Sequence, residues 1–159
     1  MPNLNYYVSA TEGRYGVMNP IELDNGRTFG SQGATVCVIL LLIKSDGNLF
    51  CGHMSCGIAG IPGNKQIIKD KAGALLDNAL GDGNKGQSWW ITGSSTDNTN
   101  VWIREAMHNW FTNLPTEENF NNTDGYFRND GGNFTVTLSN DMGEEGATEV
   151  YTGNFNIEP

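Results

Sequence analysis

The sequence predicts an α+β domain with central mixed β-sheets flanked by two main helices. Three observations predict it. Two windows, 64–81 and 96–115, repeat apolar residues at helical spacing. The run "VCVILLLI" is apolar on both faces, as a central strand is, and is too short to span a bilayer. The chain also has 21 glycines in 159 residues, many beside Asn or Asp, and such frequent tight turns belong to a strand-rich fold. That length fits one domain, 1–159, with a core large enough to need no staples.

Along the chain, "LNYYVSA" reads as a short strand and "GVMNPIELDNGRTFGSQGA" as punctuated loop, so 1–33 is expected to be a loop-rich N-terminal extension. Thr35 to Lys44 is a strand, Ser45-Asp46-Gly47 turns the chain, and Leu49 to Met54 pairs back. Asn64 is placed to cap a first helix whose buried stripe is Ile68, Ala72, Leu75, Leu76 and Ala79, with Gly81 ending it. "QSWWITGS" is an aromatic strand, with Trp89 and Trp90 packing its two faces. A second helix takes Asn98 or Thr99 as cap, buries Trp102, Ile103, Ala106, Trp110 and Leu114, and stops at Pro115. "EENFNNTDGYFRNDGGN" reads as a polar loop, without the ligand order of a calcium loop, and "FTVTLSN" with "TEVYTGNFNI" as a closing strand pair.

Charge and cysteine content narrow the function. A net charge of −9 excludes a phosphate-binding surface, so neither nucleic acid nor an anionic membrane is an expected partner. The N-terminus shows no basic region followed by an apolar one. The expectation is a cytoplasmic protein, or one exported without a Sec signal, as an effector or toxin entering a host cell is. Three cysteines are too few for a disulfide framework and leave a free thiol.

All three cysteines and one histidine lie in "TVCVILLLIKSDGNLFCGHMSCG". Cys51-x-His53-x-x-Cys56 with Cys37 offers the ligand types zinc prefers, but the spacing lacks the usual knuckle and all four sit on one hairpin. Alternatively, Cys37 is a nucleophile and His53 its base. Two strands bring them together only in one register. A two-residue turn at Asp46-Gly47 sets His53 opposite Leu40 and points Cys37 to the other face. A three-residue turn sets it opposite Ile39, with Cys37 its diagonal neighbour on the same face. The third reading is a small apolar core cysteine beside a satisfied histidine. His108, within the second helix, receives no role.

The order of elements resembles the glutamine deamidase superfamily, which includes the chemoreceptor glutamine deamidases and the cytotoxic necrotising factor toxins. The resemblance rests on "SQGATVCVILLLI" followed by "LFCGHM", then "KQIIKDKAGALLDNAL", "WWITGSSTD" and "NTNVWIREAMHNWF". It covers most of 30–156, as an order of elements with few identities. It implies Cys37 as nucleophile, His53 as base, and an upstream hydroxyl that orients the imidazole, Ser31 or else Thr35. It also implies a partner protein carrying a reactive glutamine, and no metal or cofactor. On this acidic chain the partner would present a basic patch.

Overall fold

The computed structural model describes residues 8–94, 96–140 and 148–159. Its framework starts from the hairpin of β4 (Val38–Ile43) and β5 (Leu49–Cys56). The turn between them has three residues. Lys44 N–H donates to Asn48 O at 2.9 Å, Gly47 N–H donates to Lys44 O at 2.9 Å, and Ile43 pairs with Leu49. Gly47 takes φ +86°, a left-handed conformation that glycine adopts without steric cost. The register that follows sets Ile39 opposite His53.

Around this hairpin lie β1 (Val8–Ser9), β2 (Arg14–Met18), β3 (Thr28–Ser31), β6 (Trp89–Thr92), β7 (Glu117–Asn119), β8 (Asp124–Asp130), β9 (Asn133–Ser139), β10 (Thr148–Glu149), β11 (Gly153–Asn154) and β12 (Asn156–Ile157). One sheet runs β11-β2-β5-β4-β6-β7, with β12 also paired to β5. The other runs β10-β1-β3-β8-β9. The helices are α1 (Lys65–Leu80) and α2 (Asn98–Trp110), and the fold is α+β. Neither is long and apolar enough to cross a membrane.

The two-residue period of β4 divides the interior. Val38, Leu40 and Leu42 join the cluster built with Ile68, Ala72 and Leu76 of α1 and Trp102, Ile103, Ala106 and Met107 of α2. Ile39 and Leu41 face the other way, into a cluster with Phe29 of β3 and Phe127 of β8. Both helices therefore cover one face of the larger sheet, and the smaller sheet covers the other. Trp89 anchors the helix side, stacked on Phe111 at 4.1 Å between centroids. Trp90 points oppositely and meets Phe127 edge-on at 6.1 Å, so the tryptophan pair serves both layers.

Several expectations are corrected. The loop-rich extension contains β2 and β3, which pair with β5 and β8; glycines at 13, 16, 26 and 30 hid strands held by backbone pairing rather than by apolar alternation. Of "LNYYVSA", Val8–Ser9 is a strand, and residues 4–7 lie outside those described. The polar loop contains β7 and β8. In β8 Phe127 and Asn129 share the buried face, so that face is partly polar and its period was invisible to hydrophobicity. β9 pairs with β8, while "TEVYTGNFNI" splits into β10, β11 and β12, each on a different neighbour. The strand expected from Thr35 begins at Val38, after a bend. Asp97, not Asn98 or Thr99, caps α2, accepting from Thr99 N–H at 2.8 Å. Asn64 occupies the N-cap of α1 without a capping bond, its Nδ2 donating instead to Ala59 O at 3.0 Å. α2 ends at Trp110, so Leu114 lies beyond the stripe and is 81% exposed.

Candidate active site

Cys37 and His53 share the face that looks toward the smaller sheet. His53 opposes Ile39, and Cys37, two residues before Ile39 in the bend that leads into β4, lies on the same side, in the inter-sheet cluster. Both are buried, at 3% and 2% exposure. The third predicted residue comes from the other sheet. β3 ends at Ser31, and its Oγ lies 2.7 Å from His53 Nδ1. Thr35 is exposed in the bend before Cys37.

Proton counting fixes the state of the imidazole. Ser31 Oγ lies 2.5 Å from Ala10 O, an acceptor only, so the single hydroxyl proton goes there. Ser31 must then accept from His53 Nδ1–H, which leaves the lone pair on Nε2. That atom is buried and has no hydrogen-bond partner among the described residues. Burial pushes the His53 pKa down to about 4, against the opposing charges of Glu12 and Asp124. Near pH 7 the ring is therefore a neutral base with its free nitrogen inside the site.

Residues distant in sequence hold the Cys37 segment. The Cys37 carbonyl accepts from Asn100 Nδ2 of α2 at 2.8 Å, and Asn100 is fully buried. Gly93, after β6, makes room for that carbonyl: a Cβ there would lie 2.5 Å from Cys37 O. The loop before Cys37 is tied to β8. Asp124 Oδ1 accepts from Gly33 N–H at 3.0 Å, and Ala34 N–H donates to Thr123 O at 2.9 Å. The thiol itself donates to Glu12 Oε1 at 3.3 Å. Burial first, and Glu12 second, push its pKa up to about 12, so the thiol, like the imidazole, is neutral near pH 7.

Sequence reading missed Asn100, Asp124 and Glu12. Their only local signals were an Asn-rich helix start and two turns, Thr123-Asp124-Gly125 and Glu12-Gly13, which mark geometry rather than chemistry.

The zinc set is divided by the sheet. Cys51 points with His53 into the inter-sheet cluster, whereas Cys56 packs against the helix-side cluster. Among the described residues no three His, Cys, Asp or Glu side chains converge as metal ligands. Cys51 is fully buried and its pKa is raised by that burial, which makes it packing. His108 lies on the helix side, its Nε2 2.5 Å from Glu118 Oε2 and its ring edge against Trp89. In comparisons with known proteins the chain matches no family model and no curated sequence.

Proposed function

We propose that this chain is a cysteine-dependent protein-glutamine deamidase. The observation that carries the reading is His53: its Nδ1–H is committed to Ser31, its Nε2 lone pair is buried with no hydrogen-bond partner among the described residues, and Cys37 lies on the same side of the hairpin. An unsatisfied buried polar atom costs about 1–3 kcal/mol, a cost with a purpose if the atom receives a proton during a reaction. The sequence resemblance to the glutamine deamidases, which implies these roles for Ser31, Cys37 and His53, supports the same reading.

In this mechanism the Cys37 thiol proton passes to His53 Nε2 as the sulfur attacks the glutamine carboxamide carbon. The tetrahedral intermediate collapses when the imidazolium gives its proton to the amide nitrogen, and ammonia leaves. A water then gives a proton to Nε2 and attacks the thioester carbon. Carbon–sulfur cleavage releases glutamate, and the proton returns to sulfur. Ser31 keeps the ring in the tautomer that presents Nε2 throughout. Val36, 49% exposed beside Cys37, offers an apolar lip to the substrate protein. The net charge of −9 favours a partner with a basic patch, and an effector or toxin acting on a host protein fits this chemistry.

Ammonia release from lysate proteins tests the reading. Wild type is expected to release ammonia, and Cys37→Ser to release about 10³-fold less or none. Equal release by the two proteins would remove the nucleophile and the function with it.

A non-catalytic binding domain is favoured by one observation, the coverage of the thiol by Glu12. It predicts no ammonia release from any lysate.

A further inference from the structure

Glu12 stands on the turn Thr11–Gly13 between β1 and β2, and the fold fixes that turn against the site. Gly13 N–H donates to the His53 carbonyl at 2.8 Å, and Phe155 N–H donates to the Gly13 carbonyl at 2.8 Å. One residue before the turn, Ala10 O receives the Ser31 hydroxyl. The segment that carries Glu12 is thus bonded to both partners of the imidazole network, and its carboxylate meets the nucleophile directly.

The contact has two faces. Inward, Oε1 accepts the thiol's hydrogen bond, while His53 Nε2 has no partner among the described residues. Outward, Glu12 is exposed to solvent. A thiol is a weak, uncharged donor, whereas a lysine or arginine brings a full positive charge and several N–H donors to the carboxylate. An arriving lysine or arginine side chain would therefore take the carboxylate from the sulfur.

We propose that Glu12 is a specificity-determining residue that selects glutamines flanked by a lysine or arginine, whose cation draws the carboxylate off Cys37 and frees the thiol for His53. The inference rests on the deamidase reading. Other titratable groups act here too: Cys56 also disfavours the Cys37 thiolate, and Asp124 acts on His53. Glu12 acts on both Cys37 and His53, so neutralising it removes an obstacle to the thiolate that the other two leave unchanged.

Two readouts on the intact protein test it. The first is iodoacetamide labelling of Cys37 between pH 7 and 10, resolved from Cys51 and Cys56 by peptide mass. Glu12→Gln is expected to label about 10-fold faster than wild type at pH 8, with a lower pH midpoint. Equal rates and midpoints would overturn the proposal whatever the activity. The second is ammonia release from matched glutamine peptides that carry lysine, norleucine or glutamate beside the glutamine. Wild type is expected to favour lysine over norleucine by about 10-fold in kcat/KM, and Glu12→Gln to lose most of that preference. Ammonia without preference in wild type defeats this inference alone. No ammonia from any peptide, or from lysate, defeats the deamidase reading beneath it and the selection with it.

Discussion

The two faces of the β4–β5 hairpin share one backbone and differ in almost everything else. On the helix side Val38, Leu40, Leu42, Phe50 and Met54 meet α1 and α2 in a cluster of apolar side chains. On the inter-sheet side Cys37, Cys51 and His53 alternate with them, and Ser31, Asp124 and Glu12 approach from other segments. One face excludes water to hold the fold. The other excludes water while retaining polar groups that need partners, one of which, His53 Nε2, has none among the described residues. A single residue of register separates these roles, because a slip by one exchanges the faces.

The largest expected effect belongs to the helix side. Trp89→Ala should cost about 3–5 kcal/mol, read as a drop in the urea midpoint, because it removes a fully buried ring stacked on Phe111. The activity of the fraction still folded should be unchanged. Loss of activity beyond the loss of fold would break the division between the faces.

A smaller effect belongs to the inter-sheet side and is pH-dependent. His53 has an ordinary pKa near 6.5, lowered to about 4 in the fold. Between those values the unfolded chain binds a proton that the folded chain does not, so stability falls as pH drops from 6.5 toward 4. The contribution is fully present above pH 6.5 and amounts to at most about 3 kcal/mol. Carboxylates also titrate in acid, so the quantity to measure is the difference between wild type and His53→Gln in urea unfolding at pH 7 and pH 4.5. A difference that does not change with pH would contradict the buried neutral imidazole.

The same contrast explains what the sequence could carry. Helices α1 and α2 were legible because their apolar period is local, and Ile68, Ala72, Leu76, Trp102 and Ile103 all fell on the buried stripe. The hairpin was legible too, and Gly47 favoured the three-residue turn that sets Ile39 against His53. Strands β2, β3 and β8 were not. Their burial comes from pairing with distant strands, and their composition is rich in Gly, Asn and Asp. Ser31 was named only through a resemblance, since nothing near it in sequence shows that β3 would end beside His53. Asn100, Asp124 and Glu12 reach the Cys37 segment from three separate parts of the chain, and no spacing encodes such contacts.

Adjacent residues on opposite faces test the division most directly. Ammonia release and urea unfolding should be measured side by side on His53→Gln and Met54→Ala. His53→Gln is expected to abolish ammonia release while changing stability at pH 7 by no more than about 1.5 kcal/mol. Met54→Ala empties a fully buried position and is expected to cost about 2–5 kcal/mol while the folded fraction keeps its rate. Ammonia release that survives His53→Gln, or falls equally in both variants once corrected for folding, would contradict the assignment of chemistry to the inter-sheet face.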